Sequence, residues 1–167
     1  MVINGKSLFN LKPFKEMLSE KKHGTVASYG LSEAGYDIRI KQKVLFTWDS
    51  EGKPITFIDG KKSSGHFALV SCIEEFQIPS NLVGIIHDKS TWARQGLSVL
   101  NTVAEPNWKG FLTAELVFHG NKPLEIPAGS GIAQVIFHLL KEPQNYGGKY
   151  QNQENKPVEA RMDKDHF

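Results

Sequence analysis

The sequence predicts a mainly β protein, a distorted jelly roll or β-barrel with a short N-terminal helix and one short helix after its central strand. Three observations predict it. From Tyr36 onward the chain falls into eight short β-rich runs: YDIRI, KVLFTW, HFALVSCIEEFQI, LVGIIH, LSVLNTV, FLTAELVF, PLEIP and IAQVIFHLL. Turn formers separate them, among them Asp49-Ser50-Glu51-Gly52, Pro79-Ser80-Asn81 and Pro127-Ala128-Gly129. Two stretches break this texture with helical features, one before the strands begin and one between LVGIIH and LSVLNTV.

The first is the segment 9–22, where Leu11, Phe14, Met17 and Leu18 recur at helical spacing and Lys21-Lys22-His23-Gly24 supplies a stop. The second, 90–96, reads as a single helical turn with Ser90 as its N-cap and Gly96 as its end. In FLTAELVF, the alternation of a strand puts Leu112, Ala114, Leu116 and Phe118 on one apolar face. Thr113 and Glu115 then share the other face with Phe111 and Val117. The final segment, 142–167, is polar and has too few apolar residues to pack a core. With Gly147-Gly148 as its hinge it reads as a mobile C-terminal lid within one domain spanning 1–167.

Composition bounds the function. With 167 residues, 40% of them hydrophobic and 23% charged, the chain suits a single globular domain. Twenty basic against 18 acidic residues leave a formal charge of +2, which argues against a broad nucleic-acid-binding surface and requires any anionic ligand to be met locally. One cysteine, Cys72, can close no intrachain disulfide and build no Cys-rich zinc site, so a reducing cytoplasm is expected. No apolar run approaches the ~20 residues that span a bilayer, and MVINGKSLFN lacks the apolar core of a signal peptide, so no membrane partner is expected. The six histidines are scattered, and glycine-rich phosphate loops, dinucleotide fingerprints and nucleophile elbows are missing from the sequence.

Two places carry chemistry. Lys89, Ser90, Thr91 and Arg94 gather two cations and two hydroxyls around the start of a helical turn, where backbone N–H groups can face an anion. A capped, solvated surface helix is the commoner use of such a segment. Glu115 sits mid-strand between Phe111 and Val117, where partial desolvation would raise its pKa and suit it to general-base work; a Glu on the wet side of a sheet is the commoner case. Trp108 follows a turn and can plug the barrel end, with Glu105 capping that turn.

Taken in order, KSTWAR, EPNWKGFLTAELVFHGNKPLEIPAGSGIAQVIF and KYQNQENKPVEARMDKD closely resemble the successive signatures of the dCTP deaminase branch of the deaminase and dUTPase superfamily. The resemblance runs over about 34–165, with SEAGYDIRI similar to the family's early strand. It implies a dUTPase-like jelly roll, a homotrimer with active sites shared between subunits, and zinc-independent deamination of dCTP to dUTP and ammonia. It further implies that Glu115 is the base, that Ser90 and Arg94 order the catalytic water and the carboxylate, and that Lys89 and Thr91 contact the triphosphate. Thr113 and Ala114 match positions where the strand meets the base. Lys149 and Gln153 match phosphate-binding positions of a closing tail, and Tyr146 matches its tyrosine with altered spacing. Glu105 stands where the family has an Asp that reads the deoxyribose 3′-hydroxyl. The triphosphate is expected as its magnesium complex.

The departures fall on base and sugar recognition: Glu105 for Asp, Trp92 for a smaller apolar residue, and a shortened loop 100–107 without the family's His. They keep dCMP or a modified cytosine nucleotide open as substrate. Such a compact variant fits a viral nucleotide-pool enzyme, in which case the compartment is the host cytoplasm. The rivals are a dUTPase, a bifunctional deaminase and diphosphatase, and a non-catalytic nucleotide-binding regulator. Trp108 in place of the uracil-stacking Tyr, and GGKYQNQ without a tail Phe, count against the dUTPase. Glu105 counts against the bifunctional enzyme, and Ser90, Arg94 and Glu115 together count against the regulator.

Overall fold

The computed structural model describes residues 1–162. The end of the lid segment, of the RMDKD motif and of the family resemblance, together with His166, lies outside the described residues. In chain order the elements are β1 (Val2–Ile3), α1 (Gly5–Leu11), β2 (Lys21–Lys22), β3 (Tyr29–Leu31), β4 (Tyr36–Arg39), β5 (Val44–Trp48), β6 (Pro54–Ile58) and β7 (Lys61–Ser64). They continue as β8 (Phe67–Gln77), β9 (Leu82–Asp88), α2 (Ser90–Ala93), β10 (Leu97–Val99), β11 (Val103–Ala104), β12 (Lys109–Phe118), β13 (Leu124–Ile126) and β14 (Gly131–Leu139).

The strands form three antiparallel sheets. One runs β11-β9-β14-β4-β3-β2 with β1 also on β14, the second is β10-β12-β8, and the third is β13-β5-β6-β7. Long-range pairing dominates, as a jelly roll requires: β14, near the C-terminus, lies between β9 and β4. A single core runs between the sheets, with Phe14, Tyr36, Phe76 and Phe137 fully buried and in ring contact.

The N-terminal helix forms earlier than its periodicity predicts, at 5–11 instead of 9–22. Pro13 is the reason. Its ring and missing N–H forbid a helix interior there, and Lys12 turns into the left-handed region at φ 46 to end α1. Phe14, Met17 and Leu18 still pack on the core, Phe14 by bridging to Phe76. LSVLNTV also divides, because β10 pairs with β12 while β11 crosses to β9 in another sheet. The hairpin β6–β7, absent from the predicted runs, continues the sheet from β5 after the Asp49–Gly52 turn.

Candidate active site

Strand β12 carries the site. Its even residues Leu112, Ala114, Leu116 and Phe118 are buried, as the alternation predicts. Its other face opens into a cleft of about 690 Å³ whose lining includes Glu105, Trp108, Thr113, Glu115, Tyr146 and Gln153. Glu115 pairs in register with Leu69 of β8, and Val117 pairs with Phe67; Leu69 and Phe67 both line the cleft. This apolar setting half-buries the Glu115 carboxyl and pushes its pKa above the usual carboxylate range, opposed only by its own backbone N–H. Among the described residues no cation is paired with it, so it can hold a proton or release one.

Its neighbours divide their work. Thr113 faces the cleft, and its hydroxyl accepts a hydrogen bond from the Val158 N–H of the tail at 3.0 Å. Ala114 points into the core, so only its backbone could serve a ligand. Glu105 is exposed on the cleft rim, and the turn after it is closed by the Trp108 N–H donating to its carbonyl at 3.1 Å. Trp108 is buried edge-on against Phe76, and its indole N–H donates to the Tyr150 carbonyl at 2.7 Å. It therefore plugs that end of the barrel and also anchors the tail.

The described part of the lid segment is laid along this strand. The Tyr146 N–H donates to the Pro106 carbonyl at 2.9 Å, and Gln153 pairs in parallel with Gly110, its carbonyl accepting from the Phe111 N–H at 3.1 Å. The Gln151 side chain accepts from the Lys109 N–H at 2.7 Å and donates to the Asn107 carbonyl at 2.9 Å. Lys149 is exposed, with its ammonium donating to the Arg161 carbonyl and lying 5.6 Å from the Tyr150 ring centre. Thus Tyr146 and Gln153 join Glu115 in the cleft, whereas Lys149 lies outside its lining.

Helix α2 is a separate cluster, and none of Lys89, Ser90, Thr91 or Arg94 lines the cleft. Ser90 does not cap the turn as predicted: Lys89 takes the N-cap position in extended conformation, so the turn starts at Ser90. The carbonyl of Lys89 accepts from the Trp92 and Ala93 N–H groups, both at 3.0 Å. Ser90, Thr91 and Arg94 are exposed, and Gly96, at φ 90, ends the turn as expected. The Lys89 ammonium is drawn inward to Asp37, 2.5 Å away.

Sequence reasoning missed Asp37, Gln151 and Tyr150. An acid inside the apolar run YDIRI was the available signal for Asp37; the tail contacts had none. Among the described residues no three His, Cys, Asp or Glu side chains are grouped so as to hold a metal ion.

Comparison with known proteins gives this arrangement a family. The dCTP deaminase-like family matches residues 14–140. A dCTP deaminase of Roseiflexus castenholzii is 36% identical over 161 residues, covering 86% of each chain. One of Helicobacter pylori strain G27 is 38% identical over 156 residues, covering 80% of this chain and 82% of that one. Among solved structures, a 2′-deoxycytidine 5′-triphosphate deaminase from Agrobacterium tumefaciens superposes with a TM-score of 0.56 at 15% identity, over 83% of this chain and 48% of that chain. A dUTPase from S. aureus phage phi11 gives a TM-score of 0.51 at 15% identity, over 78% and 87%. The two structures share the fold, while the sequence matches, spanning most of both chains, establish that this chain belongs to the dCTP deaminase-like family.

Proposed function

We propose that the chain converts dCTP and water to dUTP and ammonia, with the cytosine ring held in the cleft above β12. The observation that carries this reading is Glu115: a half-buried carboxylate with no cation paired to it among the described residues, mid-strand in the cleft of a chain belonging to a dCTP deaminase-like family. Ionised Glu115 takes a proton from water as the water oxygen bonds to C4, and delivers it to N3. It then moves the remaining hydroxyl proton to the amino group, the C4–N4 bond breaks, ammonia leaves and a carbonyl remains. The carboxylate ends as it began, so no other acid or base is needed.

Ser90 and Arg94 are proposed to complete the site from a second copy of the chain, Ser90 fixing the water and Arg94 keeping Glu115 ionised. The lining of the cleft supports this, since it holds Glu105, Glu115 and Glu159 but no Lys or Arg among the described residues. A triphosphate needs cations from elsewhere. A homotrimer with shared sites supplies them, with Lys89, Thr91, Lys149 and Gln153 at the phosphates, Tyr146 on the closing tail, and Glu105 at the sugar. The substrate is proposed as the magnesium complex of dCTP, the reaction as zinc-independent and the compartment as the cytoplasm. Among the described residues no helix is long and apolar enough to cross a membrane.

The test offers dCTP, dCMP, CTP and dUTP to chelator-washed protein resupplied with magnesium. Ammonia from dCTP with dUTP left intact is expected, and CTP is expected to be penalised by exclusion of its 2′-hydroxyl near Glu105 or by leaving that hydroxyl unpaired. Pyrophosphate from dUTP without ammonia from any cytosine nucleotide would mark a dUTPase. dUMP with pyrophosphate from dCTP would mark a bifunctional enzyme, ammonia from dCMP alone a monophosphate deaminase, and binding without turnover a regulator.

A further inference from the structure

We propose that Tyr150 is a positioning residue for substrate binding: it closes the tail segment 149–161 into a loop and so holds Lys149 in place for the triphosphate. The inference rests on the dCTP-deaminating reading above, in which Lys149 meets the phosphates. Tyr150 lines the cleft, as do Trp108 and Tyr146, and each of its polar groups is engaged. Its carbonyl accepts from the Trp108 indole N–H at 2.7 Å, and its N–H donates to the Tyr146 hydroxyl at 3.3 Å. Both partners are fixed to the barrel, since Trp108 is buried against Phe76 and the Tyr146 N–H is bonded to the Pro106 carbonyl. The Tyr150 hydroxyl reaches the other way and accepts from the Arg161 N–H at 3.0 Å.

The two ends of the loop are tied in both directions. The Lys149 ammonium donates to the Arg161 carbonyl, while the Arg161 guanidinium donates to the Lys149 carbonyl. Both cations lie over the Tyr150 ring, with Lys149 Nζ 5.6 Å and Arg161 Cζ 5.8 Å from its centre, within reach of the attraction between a cation and an aromatic face. Between its ends the loop is fastened to the barrel by Gln153 at Gly110 and by the Val158 N–H at the Thr113 hydroxyl. Asn155 adds a third point, its carbonyl and side-chain oxygen accepting from the Lys41 ammonium at 2.8 and 2.9 Å. Val158, Glu159 and Ala160 line the cleft. A lysine on an open tail must be ordered as substrate binds, which weakens affinity; a loop already closed at Tyr150 removes that cost. Loss of the Tyr150 side chain would loosen the loop at Lys149 while leaving Gln153 docked.

The experiment measures ammonia release from dCTP in wild type, Tyr150→Leu, Lys149→Ala and the double variant, with inorganic triphosphate and deoxycytidine as competitors. Each single variant is expected to raise KM for dCTP and the inhibition constant of triphosphate about tenfold, with kcat and the deoxycytidine constant within about threefold of wild type. The double variant should also stop at about tenfold, because either change removes the same held ammonium. Independent contributions would multiply to about a hundredfold and overturn the proposal. An effect of Tyr150→Leu on the triphosphate constant below about threefold overturns it too, as does a Lys149→Ala variant that leaves this constant unchanged. An equal loss with deoxycytidine would make Tyr150 a direct contact of the base or sugar and would likewise overturn it. Should Tyr150→Leu fail to fold, Tyr150→Phe decides, since it loses only the hydroxyl that holds Arg161. A rise of about threefold in the triphosphate constant that vanishes in the Lys149→Ala background supports positioning, whereas no rise, or the same rise in both backgrounds, overturns it. A wild-type chain releasing no ammonia from dCTP overturns the functional reading instead, and with it this inference.

Discussion

At the scale of the residue, Glu115 sets stability against activity. Burial raises its folded-state pKa above the ordinary 4.5, so the folded chain binds this proton more tightly than the unfolded chain does. The stability tied to the group is whole below about pH 4.5 and is lost as pH rises through the folded pKa. Glu115→Gln removes that loss. In urea titrations the variant should gain on wild type as pH rises above 4.5 and be the more stable at neutrality, a gap that stays constant with pH being the contrary result. Its kcat should fall by about 10²–10⁴ with dCTP still bound, and turnover within about threefold of wild type would show that Glu115 is not the base. This residue was legible in the sequence because a strand's period of two puts it beside Thr113 and opposite the buried face of β12. The destination of the Lys89 side chain was not, since its partner Asp37 is 52 positions away along the chain and only the pairing of β4 with β14 and of β14 with β9 brings the two together.

At the scale of the element, strands were legible and their partners were not. Each predicted run from YDIRI to IAQVIFHLL contains an observed strand, because alternation and turn residues are local. Nothing local divides LSVLNTV between two sheets, and the helical periodicity of 9–22 reported a buried face but not the proline that forbids a helix there. The tail shows how a single backbone position governs an element. Gly110, at φ 129, lets Gln153 run alongside β12, and a Cβ there would lie 2.5 Å from the Gln153 nitrogen. Gly110→Ala combines that clash with a strained φ, each a penalty of about 1–3 kcal/mol, and the flexible partner to give way is the tail. The variant should keep the barrel's cooperative melt, expose the segment beyond Gly148 to limited proteolysis, and raise KM for dCTP about tenfold or more. Truncation before Gly147 should mimic it. Unchanged kinetics in both would show that the docked tail plays no part in holding substrate.

At the scale of the whole molecule, the candidate functional residues fall into two groups on one chain: Glu115, Thr113, Glu105, Tyr146 and Gln153 at the cleft, and Ser90, Thr91 and Arg94 on the exposed turn. An apolar rim adjoins the cleft, where Phe67 and Val103 are 50% and 45% exposed, which suits a surface that another copy covers. In the proposed ring of three copies, each turn would lie against the next copy's cleft, a head-to-tail contact that closes on itself. This arrangement makes a prediction that a self-contained site does not. Glu115→Gln and Arg94→Ala should each be nearly inactive, but trimers reassembled from an equal mixture should regain activity. A working site then needs its cleft from an Arg94→Ala subunit and its turn from a Glu115→Gln subunit, each with an even chance, so about one quarter of the sites should be intact. Ammonia release from the reassembled mixture should approach that fraction of the wild-type rate, and mixing without reassembly should give none. If both variants are inactive and the reassembled mixture stays so, the two groups serve within one chain and the shared site is wrong.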